Sequence, residues 1–389
     1  MFANRTDWEK RLNRLTQRLT ELKKSGRTIL DLTESNPTRC QFHYPPELLT
    51  VLNDPRNFTY APSPKGLLSA RQAIASYYAE KGVSLDPEQV LLTASTSEAY
   101  SFLFRLLLSP KEHLLAPRPS YPLFEYLASL NDSILESYPL VYREGWRIQL
   151  EALEKTIDLK TRAMILVHPN NPTGSFVKKE EKEVLMRIAR ENNFSLICDE
   201  VFLDYAYQED ASRVATFAEC DGILTFTLSG ISKILAMPQM KLSWIVVNGP
   251  KELRDEAIER LEVISDTYLS VNTPSQLALE KWLSFRPVLQ SQIRNRILFN
   301  RNFLLEQCRK HSSCELLCAE GGWYAALRLP EMKSEEVWAL EFLEKESVLV
   351  HPGYFFDFEK DTHIILSLLP PPDRFEAGIQ KLLHCAGAS

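Results

Sequence analysis

Four polar clusters, each at the end of an apolar run, carry the chemistry this sequence could do. Thr227-Leu-Ser-Gly-Ile-Ser-Lys233 reads as a buried strand passing into a turn. Ile223 to Leu228 are apolar or β-branched, and Ser229, Gly230 and Ser232 let the backbone turn tightly and expose hydroxyls. Lys233 therefore leaves a rigid element and is the candidate catalytic residue, against the background that most lysines are solvated surface charges. Thr93-Ala-Ser-Thr-Ser-Glu-Ala99 puts Ser95, Thr96 and Ser97 at the opening of a helix, where unpaired N–H groups favour an anion such as phosphate. The same residues also suit a plain helix N-cap, with Glu98 nearby. In His168-Pro-Asn-Asn-Pro-Thr-Gly174 two prolines stiffen a turn whose Asn170 and Asn171 amides can meet a ligand oxygen, or simply close a tight loop. Asp199, in Cys198-Asp-Glu-Val-Phe202, stands at the C-terminal edge of an apolar strand, where an acid costs free energy unless partnered. A cationic ring nitrogen suits it, and so does an arginine or a helix N-terminus.

The elements that must position these groups begin near residue 89, where short apolar runs alternate with helical patterns. That is the pattern of an α/β fold, a mostly parallel seven-stranded sheet with helices on both faces. The candidate strands are residues 90–93, 113–116, 134–138, 164–167, 196–198, 223–228 and 242–247, with helices over 97–108, 121–130 and 178–193. Sites in such sheets lie beyond the strand C-termini. Before the sheet, Leu12, Leu15, Leu19 and Leu22 predict an amphipathic helix over 7–24. A short strand then breaks into a Pro-terminated loop at 30–38, a candidate hinge or lid. Tyr60-Ala-Pro-Ser-Pro-Lys-Gly66 is a Pro/Gly turn leading into a helix over 67–80. Beyond Pro274 the chain reads as helical through Leu305. Strands at 322–329, 347–350 and 363–368, with helices near 335–345 and 374–384, make up a smaller α+β domain. The expected division is a large domain at 46–292 and a small domain formed by 1–45 and 293–389.

Composition narrows the class of partner. With 389 residues, 44% apolar and 25% charged, the chain is long enough for two domains around a large core. A net charge of −6 with interspersed signs, and no basic run with interleaved aromatics, points away from nucleic acid. No apolar run approaches the roughly 20 residues that span a bilayer, and the N-terminus lacks a cationic-then-apolar leader, so no membrane association and a cytoplasmic location are expected. Seven scattered cysteines read as reduced thiols, and the seven histidines form no pair at ligand spacing, so no metal is expected.

Taken in order, the phosphate-like turn, Asn-Asn-Pro-Thr-Gly, Asp-Glu-Val-Phe and Ser-Gly-Ile-Ser-Lys resemble the pyridoxal-phosphate-dependent aminotransferases of class I/II, with the aspartate aminotransferase fold (fold type I). Gly321-Gly-Trp-Tyr and Pro352-Gly-Tyr-Phe-Phe356 extend the resemblance over nearly the whole chain. It implies pyridoxal 5'-phosphate as cofactor, with Lys233 as the Schiff-base lysine, Asp199 pairing the pyridinium nitrogen and Asn171 beside the ring's phenolic oxygen. By the same resemblance Tyr121 stacks on the ring, Ser95, Thr96 and Ser97 form the phosphate turn, and Tyr60 reaches the phosphate of a neighbouring subunit in a homodimer with shared sites. The implied reaction moves an amino group between an amino acid and a 2-oxo acid, Lys233 carrying the proton from the substrate's α-carbon.

The chain departs from the family pattern in several places. Phe202 stands where many members have a tyrosine. Lys241 replaces a phosphate-binding arginine, a point charge in place of a fork, and is still assigned to phosphate. Gly230 replaces a common phosphate-binding serine, with Ser229 as the candidate substitute. The strand His363-Ile-Ile-Leu-Ser367 offers no arginine for the substrate carboxylate, leaving Arg39, Arg118 or Arg328 as alternatives. Asp266 to Pro274 has Tyr268 but no arginine near the position that binds dicarboxylates, so the expected donor is neutral or aromatic. The competing readings are a lyase of the same fold, acting on carbon–sulfur or carbon–carbon bonds, and a non-catalytic cofactor-binding regulatory module. The second is the less expected, since regulators of this type carry a DNA-binding domain and the sequence before the fold reads only as the helix over 7–24.

Overall fold

The computed structural model describes residues 1–8, 11–311, 313–360 and 362–387. Its strands, in chain order, are β1 (Leu30–Asp31), β2 (Val90–Thr93), β3 (His113–Arg118), β4 (Ile134–Tyr142), β5 (Trp146–Ile148), β6 (Thr161–Val167), β7 (Ser195–Asp199), β8 (Thr225–Gly230), β9 (Ser243–Asn248), β10 (Glu315–Leu316), β11 (Tyr324–Leu329), β12 (Val348–Leu349), β13 (His351–Pro352) and β14 (Thr362–Ser367).

The large sheet has the order β2-β9-β8-β7-β6-β3-β4-β5. Strands β4, β3, β6, β7 and β8 run parallel, whereas β9 is antiparallel to both β8 and β2. All seven expected strands are present, and an eighth corrects the expectation of seven. Strand β5 pairs antiparallel with the edge strand β4, Tyr142 opposite Trp146. Three residues at a sheet edge, reached by a tight return, are too few to show any periodicity.

Burial follows from the topology. Every residue of β2, β7, β8 and β9 is buried, as expected for strands covered on both faces. On one face, Phe226, Leu228, Ile245 and Val247 pack with Ala99, Tyr100 and Leu103 of the helix Thr96–Leu107, and with Ala257 and Leu261 of Lys251–Asp266. On the other, Leu185, Ile188 and Ala189 of Lys179–Asn192 cover Leu196 and Cys198. At the β2 and β9 end, Trp244 and Val246 join Trp282 of Thr273–Ser284 and Ile74 of Leu68–Ala79.

A second, antiparallel sheet has the order β10-β11-β14-β13, while β1 and β12 form a separate parallel pair. The helical stretch beyond Pro274 is two helices, because Pro287 near the start of Arg286–Lys310 cannot donate its backbone hydrogen bond and the helix restarts at Phe285. The N-terminal helix spans only Arg14–Lys24, since Asn13 caps it by accepting from Thr16 N at 2.8 Å. Leu12 lies outside it and is exposed, and Glu9 and Lys10 of the expected helix lie outside the described residues. Pro122 delays the helix expected from Tyr121, which spans Phe124–Leu130. Among the described residues no helix is long and apolar enough to cross a membrane.

Candidate active site

Strand β8 ends in the short helix Ile231–Ile234, which carries Lys233 into a cavity at the C-terminal ends of the parallel strands. The cavity wall brings together Lys233, Asp199, Asn171, Tyr121 and Thr96 from five separate segments. Lys233 lies in an aromatic box, its Nζ 4.9 Å from the centroid of Trp323 and 5.3 Å from that of Phe202. Burial there pushes its amine down from 10.5 to about 8, against the pull of the Asp199 carboxylate. Tyr205 fixes the turn by donating from its hydroxyl to Lys233 O at 2.7 Å.

Asp199 ends β7 and is buried. Desolvation pushes its carboxyl up, and it is held by the Tyr100 hydroxyl at 2.8 Å on Oδ2 and by Val201 N at 3.1 Å on Oδ1. Tyr100 comes from the helix Thr96–Leu107, one turn after Thr96. No arginine or lysine of the described residues hydrogen-bonds this acid, so of the partners open to it a donor in the cavity is the one left unfilled.

Asn171 follows β6 in a turn held open by Gly174. At φ +69° an added Cβ would stand 2.4 Å from the carbonyl oxygen of Gly321, so only glycine fits. The Asn171 Oδ1 is buried and has no hydrogen-bond partner, an orphan of the kind that a ligand satisfies. Asn170, by contrast, is absorbed by the loop: its amide donates to Pro119 O and Thr173 Oγ1.

The remaining expected residues are spread more widely. Ser95 caps its helix by accepting from Glu98 N at 3.2 Å, and Glu98 in turn accepts from Ala94 N at 2.7 Å, so the residues expected as a phosphate turn also form the helix cap. The backbone N–H groups of Thr96 and Ser97 begin the helix without intrahelical partners. Lys241 is exposed, in the left-handed region at φ 50°, and outside the cavity lining. Ser229 is buried on the opposite face of β8 from Gly230, because neighbouring strand residues point to opposite sides. It does not reach the cavity, which corrects the expectation that it stands in for residue 230. Tyr60 is 76% exposed on its loop and lies away from the cavity of its own chain.

None of the three candidate arginines lines the Lys233 cavity. Arg118 pairs with Glu359 at 2.6 Å and shares a different cleft with Arg328, which pairs with Glu315 at 2.8 Å; Arg39 is 3.8 Å from Glu34. The chain's arrangement missed by sequence reasoning includes Tyr100, Trp323, Tyr205, Tyr324 and Ser243. Only Tyr100, four residues after Thr96 on the same helix face, had a readable signal.

A model of the family described as aminotransferase class I and II matches residues 27–371. The chain belongs to that family. This aminotransferase is 29% identical over 370 residues to the glutamate-pyruvate aminotransferase AlaA of Haemophilus influenzae, covering 93% of this chain and 91% of that one. It is 27% identical over 376 residues to the alanine aminotransferase of Mycobacterium tuberculosis, covering 94% and 87%. Among solved structures it resembles an Escherichia coli aminotransferase, with a TM-score of 0.85 at 25% identity over 99% of this chain and 97% of that one. The Pyrococcus furiosus alanine aminotransferase, with a TM-score of 0.91 at 22% identity and full coverage of both chains, shows the shared fold. The family is pyridoxal-phosphate-dependent, and this aminotransferase moves an amino group between an amino acid and a 2-oxo acid.

Proposed function

We propose that the cavity holds pyridoxal 5'-phosphate on Lys233 and that the enzyme transaminates neutral or aromatic L-amino acids against a 2-oxo acid. The observation that carries this reading is the desolvated Lys233 amine, at about 8, sharing a cavity with a buried carboxylate and an unpartnered amide. Bound there, the cofactor supplies an electron sink for the substrate's α-carbon. Lys233, a large fraction of it neutral near pH 8, would hold the cofactor covalently and then accept and return the α-proton. Asp199 keeps its partner nitrogen protonated, with Tyr100 fixing the carboxylate. Asn171 would donate to the ring oxygen from its Nδ2, leaving its Oδ1 to accept from another donor, and Tyr121, its ring edge packed on Phe124 at 5.6 Å, would cover the ring face. The helix opening at Ser95, Thr96 and Ser97 would take the phosphate through its N–H groups, and Lys241 is assigned to the phosphate as a further positive charge.

Substrate preference follows from what the wall lacks. Lys233 and Asp199 are the charged groups among its lining residues, and no arginine is present to pair a second carboxylate. The relative named for alanine supports a neutral donor, whereas the name glutamate-pyruvate pairs pyruvate with a dicarboxylic donor, so an arginine from outside this wall would have to meet the second carboxylate whenever glutamate or 2-oxoglutarate binds. Two bodies, 46–292 and 1–45 with 293–389, and a cytoplasmic homodimer complete the proposal; the separate sheets support the two bodies. The test is to incubate the purified protein with alanine, methionine, phenylalanine or aspartate and either oxo acid, following oxo-acid exchange and ammonia release. Exchange with a neutral or aromatic donor is expected, and borohydride fixes the cofactor to the peptide carrying Lys233. A clear preference for aspartate, ammonia as the main product, or fixation that survives Lys233→Ala overturns it.

A further inference from the structure

We propose that Ser243, on the neighbouring antiparallel strand, supplies the phosphate-binding hydroxyl that residue 230 lacks. The inference rests on the cofactor reading above and deepens it. Strands β8 and β9 pair in the register Gly230↔Ser243, and directly opposed residues of an antiparallel pair point to the same face. That face is the one covered by the helix Thr96–Leu107, since Phe226, Leu228, Ile245 and Val247 all pack against its Ala99, Tyr100 and Leu103. Continuing the alternation to the strand ends places Gly230 and Ser243 under the opening turn of that helix. Both line the Lys233 cavity together with Thr96 and Ser232.

The two positions compete for one volume. A Cβ built on Gly230 would stand 2.2 Å from the Ser243 Oγ and 2.8 Å from its Cβ. The Ser243 hydroxyl therefore occupies the space that a side chain on residue 230 would take. It makes no hydrogen bond to any described residue, although Ser243 is only 1% exposed. A buried hydroxyl left unpaired at a cavity wall is a donor awaiting an acceptor. Glycine at 230 and serine at 243 thus form a reciprocal pair, in which the hydroxyl has crossed the ladder without leaving its place.

The test measures cofactor affinity of the full-length apoprotein by absorbance titration, with pyridoxal 5'-phosphate and with unphosphorylated pyridoxal. Ser243→Ala is expected to weaken the phosphorylated form about tenfold or more, the worth of a hydrogen bond to a charged group, and to leave pyridoxal binding unchanged. Gly230→Ser is expected to lose affinity through the clash, and the double exchange Gly230→Ser with Ser243→Gly to return within about threefold of the original, by the same hydrogen-bond arithmetic. Unchanged phosphate-form affinity in Ser243→Ala, or equal losses for both forms, overturns the inference while leaving the Lys233 reading intact. An unmodified protein that binds neither form at Lys233 overturns that reading, and this one with it.

Discussion

Lys233 and Asp199 are each held in the less comfortable charge state, and each makes a prediction about the protein without cofactor. The folded-state value of Lys233, about 8, lies below its ordinary 10.5, so between these the unfolded chain binds more protons and stability rises with pH. Below about pH 8 the penalty is fully present, amounting to roughly 3 kcal/mol. Lys233→Met should therefore raise the apoprotein's Tm at pH 7 and have little effect at pH 11, as scanning calorimetry at the two pH values will show. For the same reason the native apoprotein should capture the cofactor faster as pH rises through about 8. Asp199 has the opposite sign: its folded value is raised, so stability falls as pH climbs through it, and the penalty stands at neutral pH. Asp199→Asn should stabilise the apoprotein at pH 7 yet weaken pyridoxal 5'-phosphate binding about tenfold to a hundredfold, the loss of a charged hydrogen bond. Titration beside thermal melting checks both halves. Stability lost at such a site is returned when its partner binds.

The elements that carry these residues are fixed by a few close approaches. The turn after β6 passes under Gly321, and Gly174 lets it do so. Gly174→Ala meets both a positive φ and a contact to backbone, so it should cost roughly 1–3 kcal/mol in urea unfolding. It should also weaken cofactor binding, because Asn171 rides on the same turn. Ser95 is a gentler case. Its hydroxyl serves the helix cap, so Ser95→Ala should cost about 1 kcal/mol of stability. If the backbone N–H groups rather than the hydroxyl meet the phosphate, affinity in that variant should fall less than in Ser243→Ala.

At the scale of the whole molecule, the loop around Tyr60 exposes an unusual amount of apolar surface. Phe58 is 94% exposed and Tyr60 76%, and Leu49, nine residues before Phe58, is 62% exposed. A second copy of the chain would cover them, as the proposed homodimer requires. Sedimentation should give twice the 44.7 kDa of one chain, and Phe58→Asp should shift the species toward monomer. Tyr60→Phe should leave the dimer intact and weaken cofactor binding by several-fold, the worth of one hydrogen bond. A monomer that transaminates at full rate would contradict this arrangement.

The sequence by itself determined what is local. Strand ends, turn prolines and glycines, Lys233, Asp199 and Asn171 were legible because apolar periodicity and turn chemistry depend on neighbours in the chain. Even the exclusion of Ser229 was present in principle, since residues 229 and 230 of one strand cannot face the same way. The tertiary structure decided what depends on register and packing between distant segments. Tyr100 meets Asp199 across helix and sheet, and Trp323, just before β11, comes to lie over the Lys233 amine. A three-residue edge strand gains its partner only from β4, and the hydroxyl of Ser243 comes to lie over Gly230 only once β8 and β9 pair. The physical reason is the same in each case: burial, charge state and cross-strand contact are properties of the packed chain, and no stretch of sequence contains both partners.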